Sequence, residues 1–264
     1  MRFTRLISCG DSFTEGMSDE IVNGQYRGWA DRIADIMARE VSGFTYANLA
    51  VRGKLVHQVV ADQIPVALSF ITGKETLVTF HAGANDVLRP NYKSEIVLPL
   101  YAKAVREIAS TGATVLLFTV LERTGAKGKT GELWASRFGK FNANVRSVGA
   151  EVGAIIADAN EEGLLSDPRF LAKDRLHLNE IGHERVAQGL LEKLGLPFDP
   201  VWRNPLPLQA DIHWSKKIAH DAQWFITFLI PWMWRRLRGK SSGDGRVPKH
   251  LAPIAWPTLT TDLH

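Results

Sequence analysis

The sequence predicts an α/β fold, a parallel sheet with helices on both faces. Two observations predict it. Five short apolar runs alternate with longer segments of helical period along residues 3–194, the pattern of parallel strands joined by helical crossovers. One run, "TVLLFTV" at 114–120, is continuously apolar, as a strand covered on both faces requires. Each crossover is expected to be right-handed.

The elements follow in order. Residues 3–9 read as a buried strand that stops at Gly10-Asp11-Ser12. This puts a hydroxyl at the carboxyl edge of the sheet, where open α/β sheets hold ligands. Residues 28–41 form a helix with Trp29, Ile33, Ile36 and Met37 on one stripe. A short second strand covers 44–49. A helix covers 55–68, its end bent or shortened by Pro65. The third strand is 76–82, and a helix over 94–111 stops at Gly112. The fourth strand is 114–120. Residues 121–132, rich in Gly and Lys, read as a loop before a helix over 133–152. The fifth strand is 154–159. The last helix of the body, 180–194, has Asn179 as its cap and Gly195 as its stop.

Composition sets the frame. The 264 residues are 45% hydrophobic and 23% charged, and they include a single cysteine, Cys9. A chain of this size needs no disulfide, and the cysteine count suits a reducing compartment. The start has no apolar stretch long enough for a secretory signal, so a cytoplasmic location is expected. The longest uncharged apolar run, "WFITFLIPWMW" at 224–234, is shorter than the roughly 20 residues that span a bilayer.

Charge divides the chain. Residues 201–264 carry nine Lys and Arg against four Asp and Glu, and six of the eight tryptophans. The reading is therefore a body, 1–200, and a Trp/Arg-rich extension, 201–264, packed on it. The nearly neutral body gives no reason to expect nucleic acid as a partner.

Four short stretches carry chemistry. They are "GDS" at 10–12, "NLAVRG" at 48–53, "GAND" at 83–86 and "DRLH" at 174–177. A serine hydroxyl is a weak nucleophile without a base beside it. His177 is the candidate base for Ser12, since an imidazole shuttles protons near neutral pH. Asp174, three residues earlier, can hold one ring nitrogen and leave the other facing Ser12. An oxyanion would need donors, and the candidates are the backbone N–H groups of Ser12 and Gly53 and the side-chain amide of Asn85. A residue without a β-carbon, as at Gly53, lets substrate approach the backbone.

In these blocks the sequence resembles the SGNH hydrolases, also called GDSL-type esterases or lipases, over roughly residues 4–195. The nucleophile block matches Gly10-Asp11-Ser12, with Phe13 where many members carry leucine. The glycine block corresponds to Gly53, the Gly-x-Asn-Asp block to residues 83–86, and the Asp-x-x-His block to Asp174 and His177. The resemblance implies a flavodoxin-like three-layer α/β/α fold on a five-stranded parallel sheet. It also implies hydrolysis of a small-molecule ester with no metal and no cofactor.

Simpler roles suit the neighbouring residues. Asp11 and Asp86 read as turn residues, Cys9 as a small buried filler, and His183 as structural within its helix. His81 reads as a core histidine, while Glu15 and Arg89 are candidates to line the pocket. In the extension, residues 215–230 read as a helix with an apolar face. "PWMWRRLRGK" then sets two tryptophans before Arg235, Arg236, Arg238 and Lys240. The simpler reading packs this helix on the body and leaves the basic run solvated. The alternative is peripheral contact with an anionic membrane through residues 212–240. "PKHLAPIAWPTL" reads as an extended surface segment.

Three functions are weighed. The first is a serine esterase working through an acyl-enzyme. A metal-dependent phosphoesterase would use the Asp and Asn blocks, but the block at Asn85 lacks the neighbouring histidine such sites use. A membrane-peripheral binding protein would use the extension. No G-x-G-x-x-G follows the first strand, which argues against a dinucleotide enzyme.

Overall fold

Apolar runs too short for helices pair side by side in the computed structural model, which describes residues 2–122, 128–161, 165–208, 214–238 and 241–256. β1 (Arg5–Gly10) leads through α1 (Ser12–Glu15) to a small hairpin, β2 (Ile21–Val22) and β3 (Gln25–Tyr26). Next come α2 (Gly28–Glu40), β4 (Thr45–Asn48), α3 (Val56–Asp62), α4 (Ile64–Phe70) and β5 (Thr76–His81). They are followed by α5 (Ala84–Val87), α6 (Ser94–Ser110), β6 (Thr114–Phe118), α7 (Gly128–Val152), β7 (Ile155–Ala157) and α8 (Glu180–Lys193). The extension adds α9 (Trp214–Trp224), a π-helical turn (Phe225–Leu229), α10 (Ile230–Leu237) and β8 (His250–Ala255).

The sheet order is β7-β6-β5-β1-β4-β8. The first five are parallel neighbours, as expected. Strand order reverses between β1 and β5, which puts the ligand crevice of a doubly wound sheet beyond their carboxyl ends. The sheet has six strands rather than five. β8 pairs antiparallel with β4, Thr45 opposite Ala255 and Asn48 opposite His250. The segment read as lying extended on the surface thus closes an edge that would otherwise offer unpaired backbone groups. Pro253 is tolerated because the strand lies at the edge and its register is interrupted there.

Alternation along the strands fills two cores. Leu6, Leu77 and Leu116 face Trp29, Ile33 and Met37 of α2 and Leu190 of α8. Their neighbours Ile7, Val78 and Leu117 face Val59, Tyr101, Val105 and Val145 of α3, α6 and α7. Each fully buried large apolar side chain contributes about 1.5–3 kcal/mol, so these two interfaces hold the strand ends in place.

Two local expectations change. The helix expected over 55–68 is two helices meeting at Gln63, because Pro65 has no N–H to continue the ladder. At the junction the Gln63 side-chain amide brackets Gly10 by accepting from its N–H (2.8 Å) and donating to its carbonyl (2.9 Å). The loop expected over 121–132 is helical from Gly128 onward. Glycine lowers helix propensity without forbidding a helix that packing stabilises. Residues 123–127 of that expected loop lie outside the described residues.

Candidate active site

β1 ends one residue before Asp11, which caps α1 by accepting from the N–H of Phe13 (3.2 Å). Ser12 is the first residue of that helix, 9% exposed, at the floor of a cavity of about 840 Å³.

The loop before α8 brings the other half. A bridge between Leu171 and Leu178 pinches its ends together. At its tip, Asp174 Oδ1 accepts from the backbone N–H groups of Leu176 and His177, both at 3.0 Å. Its Oδ2 lies 2.7 Å from His177 Nδ1, and His177 Nε2 lies 3.0 Å from Ser12 Oγ. Burial pushes the Asp174 carboxyl up, but the His177 hydrogen bond and charge and the two backbone N–H groups outweigh it, and the net shift is downward. The carboxylate stays ionised and holds a proton on Nδ1, which leaves Nε2 to accept from the serine hydroxyl. The structure thus joins Ser12, His177 and Asp174, predicted from stretches 165 residues apart, in one hydrogen-bonded line.

The residues expected to supply the oxyanion donors, Ser12, Gly53 and Asn85, all line this cavity. Gly83, at φ +121°, turns the chain into α5 where a Cβ would strike the Phe141 ring. Asn85 follows, and its amide nitrogen donates to Asp11 Oδ2 (3.0 Å) and to the Lys54 carbonyl (3.2 Å). Gly53 has φ +74°, and a Cβ there would run into Ser241 Oγ. Both glycines, with Ser12 and Asn85, sit beyond the carboxyl ends of β1, β4 and β5. Gly53 and Asn85 line the cavity with Ser12.

The remaining expectations sort by contact. Glu15 does not line the cavity. It accepts from Arg52 N (2.6 Å) and Arg52 Nε (2.9 Å), tying α1 to the Gly53 loop. Arg89 does line the cavity. Asp86 accepts from Val56 N–H (3.0 Å), and burial pushes its carboxyl up to about 6 against that bond. His81 is a buried histidine in the cavity wall, its ring 4.6 Å from that of Phe13. His183 accepts from Trp29 N–H (3.3 Å) and donates to the Met17 carbonyl (3.2 Å). Burial pushes it down to about 4, as suits a structural neutral imidazole. Cys9 is wholly buried, and burial pushes its thiol up to about 12.

The extension forms the roof. Trp224 Nε1–H donates to the Asp174 carbonyl (2.8 Å). Arg175 lies over the Trp224 ring (5.1 Å) and pairs with Asp221 (2.7 Å). Phe228, Leu229, Trp232 and Arg235 line the cavity, as do Ser241 and Ser242 of the following turn. Sequence reasoning missed Gln63, Trp224 and Ser241. Only the cluster of tryptophans after residue 200 pointed toward the second. Among the described residues, no group of three or more His, Cys, Asp or Glu side chains gathers as a metal site. No helix among them is long and apolar enough to cross a membrane.

Comparison with known proteins gives a consistent picture. The model of the GDSL-like lipase/acylhydrolase family matches residues 8–185. The fold resembles that of the acetylxylan esterase Axe2 from Geobacillus stearothermophilus, with TM-score 0.60 and 18% identity over 76% of this chain and 100% of that one. It also resembles the esterase EstA from a Pseudoalteromonas species, with TM-score 0.56 and 14% identity over 73% and 97%. A member of the lipolytic G-D-S-L family from Veillonella parvula matches at TM-score 0.55 and 21% identity, over 71% and 96%. No curated protein sequence matches the chain.

Proposed function

The chain belongs to the GDSL-like lipase/acylhydrolase family, and from that premise we propose that it is a serine esterase with Ser12 as nucleophile, His177 as base and Asp174 as the group that orients it. The observation that carries this reading is the continuous hydrogen-bonded line from Ser12 Oγ through His177 to Asp174.

Ser12 Oγ attacks the ester carbonyl while its proton passes to His177 Nε2. The carbonyl oxygen becomes an oxyanion. The N–H groups of Ser12 and Gly53 and the Asn85 amide receive it, Asn85 exchanging its bond to the Lys54 carbonyl for one to the oxyanion. Collapse breaks the C–O bond, and the leaving alkoxide takes the proton from His177. Water then gives a proton to His177 and attacks the acyl-enzyme; the bond to Ser12 Oγ breaks, His177 returns the proton to that oxygen, and the acid leaves. A donor aimed at the oxyanion is worth about 10²–10³ in turnover.

The substrate is a small-molecule carboxylic ester. Met17, Trp134, Phe138 and Leu165 on the cavity wall favour an apolar acyl chain over a bare acetyl group. Axe2 is an acetylxylan esterase, and an acetylated sugar is the competing substrate.

Steady-state hydrolysis of p-nitrophenyl acetate by Ser12→Ala tests the reading. The variant is expected to keep its melting temperature and lose activity by about 10⁴-fold or more. Wild-type-like turnover would remove Ser12 from the mechanism. Loss of activity on chelation, restored by a divalent ion, would favour the metal-dependent phosphoesterase instead.

A further inference from the structure

Residues 214–237 run as one helix with a π turn at its centre, and the helix is apolar on two opposite faces. Trp224, Phe228 and Trp232, four residues apart, line the cavity. On the other side a second stripe, Ile218, Ala222, Ile226, Ile230 and Trp234, is also spaced by four. It is open to solvent, with Ile226 64% and Trp234 55% exposed. In an α-helix a four-residue step drifts by about 40°. The wider π turn reverses that drift, which keeps the stripe on one side. An apolar helix face of this length left open marks a surface that something covers.

Charge selects the occupant. Residues 214–238 carry five Lys and Arg against the single Asp221, and Arg175 already pairs with that aspartate. Arg235 lines the cavity, and Arg238 follows Trp234 at the end of the outer stripe. A second copy of the chain would oppose one net-positive helix to another. Arg238 lies over the exposed Trp234 ring (4.4 Å), an aromatic beside a cation at the edge of the apolar stripe. That combination suits the interface of an anionic lipid surface.

We propose that the outer face of this helix docks on an anionic membrane and so sets the roof of the cavity at the lipid interface. The inner face of the same helix roofs the cavity, so a substrate leaving the lipid needs to pass only the helix. The substrate is then an amphiphilic ester held in the membrane. That last step rests on the esterase reading above, whereas the docking does not.

The test is flotation of the full chain with phosphatidylcholine vesicles, with and without phosphatidylglycerol, at low and high salt. Binding is expected only with phosphatidylglycerol and is expected to fall as salt screens it. The double variant Ile226→Asp/Ile230→Asp, checked by circular dichroism, is expected to lose about tenfold or more of that binding. Its turnover of soluble p-nitrophenyl acetate should be unchanged, while turnover of a lysophospholipid in anionic vesicles falls with binding. Arg238→Glu, which leaves the apolar stripe in place, is expected to weaken binding on the order of tenfold and flatten its salt dependence. The docking is overturned if the active full chain ignores anionic vesicles at low salt. It is also overturned if light scattering finds a dimer that the double variant disperses while vesicles stay unbound. Vesicle binding without Ser12-dependent hydrolysis would uphold the docking and sink the esterase reading.

Discussion

The floor of the cavity and its roof are held by opposite means. On the floor, Asp11 caps the helix that begins with Ser12, and Asp174 orients His177 across three residues. Every one of these contacts is short in sequence or buried between strand ends. The roof touches the floor through Trp224 on the Asp174 carbonyl and Arg175 on Asp221, and an apolar face stays open. On the floor, short local contacts set each side chain and one long-range hydrogen bond, between His177 Nε2 and Ser12 Oγ, joins them, whereas the roof is held by a few side-chain contacts.

The contrast predicts a steep hierarchy of effects. Asp174→Asn keeps the shape of the loop but removes the charge that fixes the His177 tautomer. It is expected to lower kcat by about 10⁴-fold in steady-state assays with little change in melting temperature. A loss under tenfold would mean that the floor is not the working part. Asn85→Ala is expected to lower kcat by about 10²–10³ with a smaller change in KM. A change in KM alone would move Asn85 from the floor to substrate binding.

His183 ties the floor to global stability. Its folded value of about 4 lies below the ordinary ~6.5. The unfolded chain therefore binds more protons between those values, and stability is full above ~6.5 and lost as pH falls toward 4. The share is up to about 3 kcal/mol. Denaturant titrations of His183→Gln between pH 7 and pH 4.5 should show a flatter slope. His250, pushed down to about 4 by burial and by the charge of Lys249, leaves part of the slope in place. An unchanged slope would show that His183 is not held neutral. The smallest effect is expected at the roof. Trp224→Phe keeps an aromatic face beneath Arg175, though a smaller one, and removes one hydrogen bond, worth about 0.5–1.5 kcal/mol. A change in kcat/KM of under about tenfold, carried by KM, is expected. A fall in kcat to match Asn85→Ala would erase the distinction between roof and floor.

The same distinction explains what was legible in the sequence. The five parallel strands could be read because each is a local apolar run between helical segments. Ser12, Asp174 and His177 could be read because a cap and an i,i+3 pair leave short motifs. β8 could not, since "HLAPIA" contains a proline and gains its strand character only by pairing with β4. Gln63 and Ser241 left no trace either. The first brackets Gly10 across 53 residues, and the second meets Gly53 only after the extension has crossed the cavity. The apolar face of the roof helix was visible as a pattern. The helix turns Trp224, Phe228 and Trp232 toward the cavity and leaves the stripe through Ile226 and Ile230 open, a split that the sequence pattern does not reveal.

The edge strand has a consequence for biosynthesis. β8 comes roughly 200 residues after its partner, a separation that slows folding. While the ribosome is still adding the extension, β4 presents a bare hydrogen-bonding edge to its surroundings. Prematurely terminated chains lacking residues 250–255 would keep that edge, and they are the products in which chaperones or aggregation should first be felt.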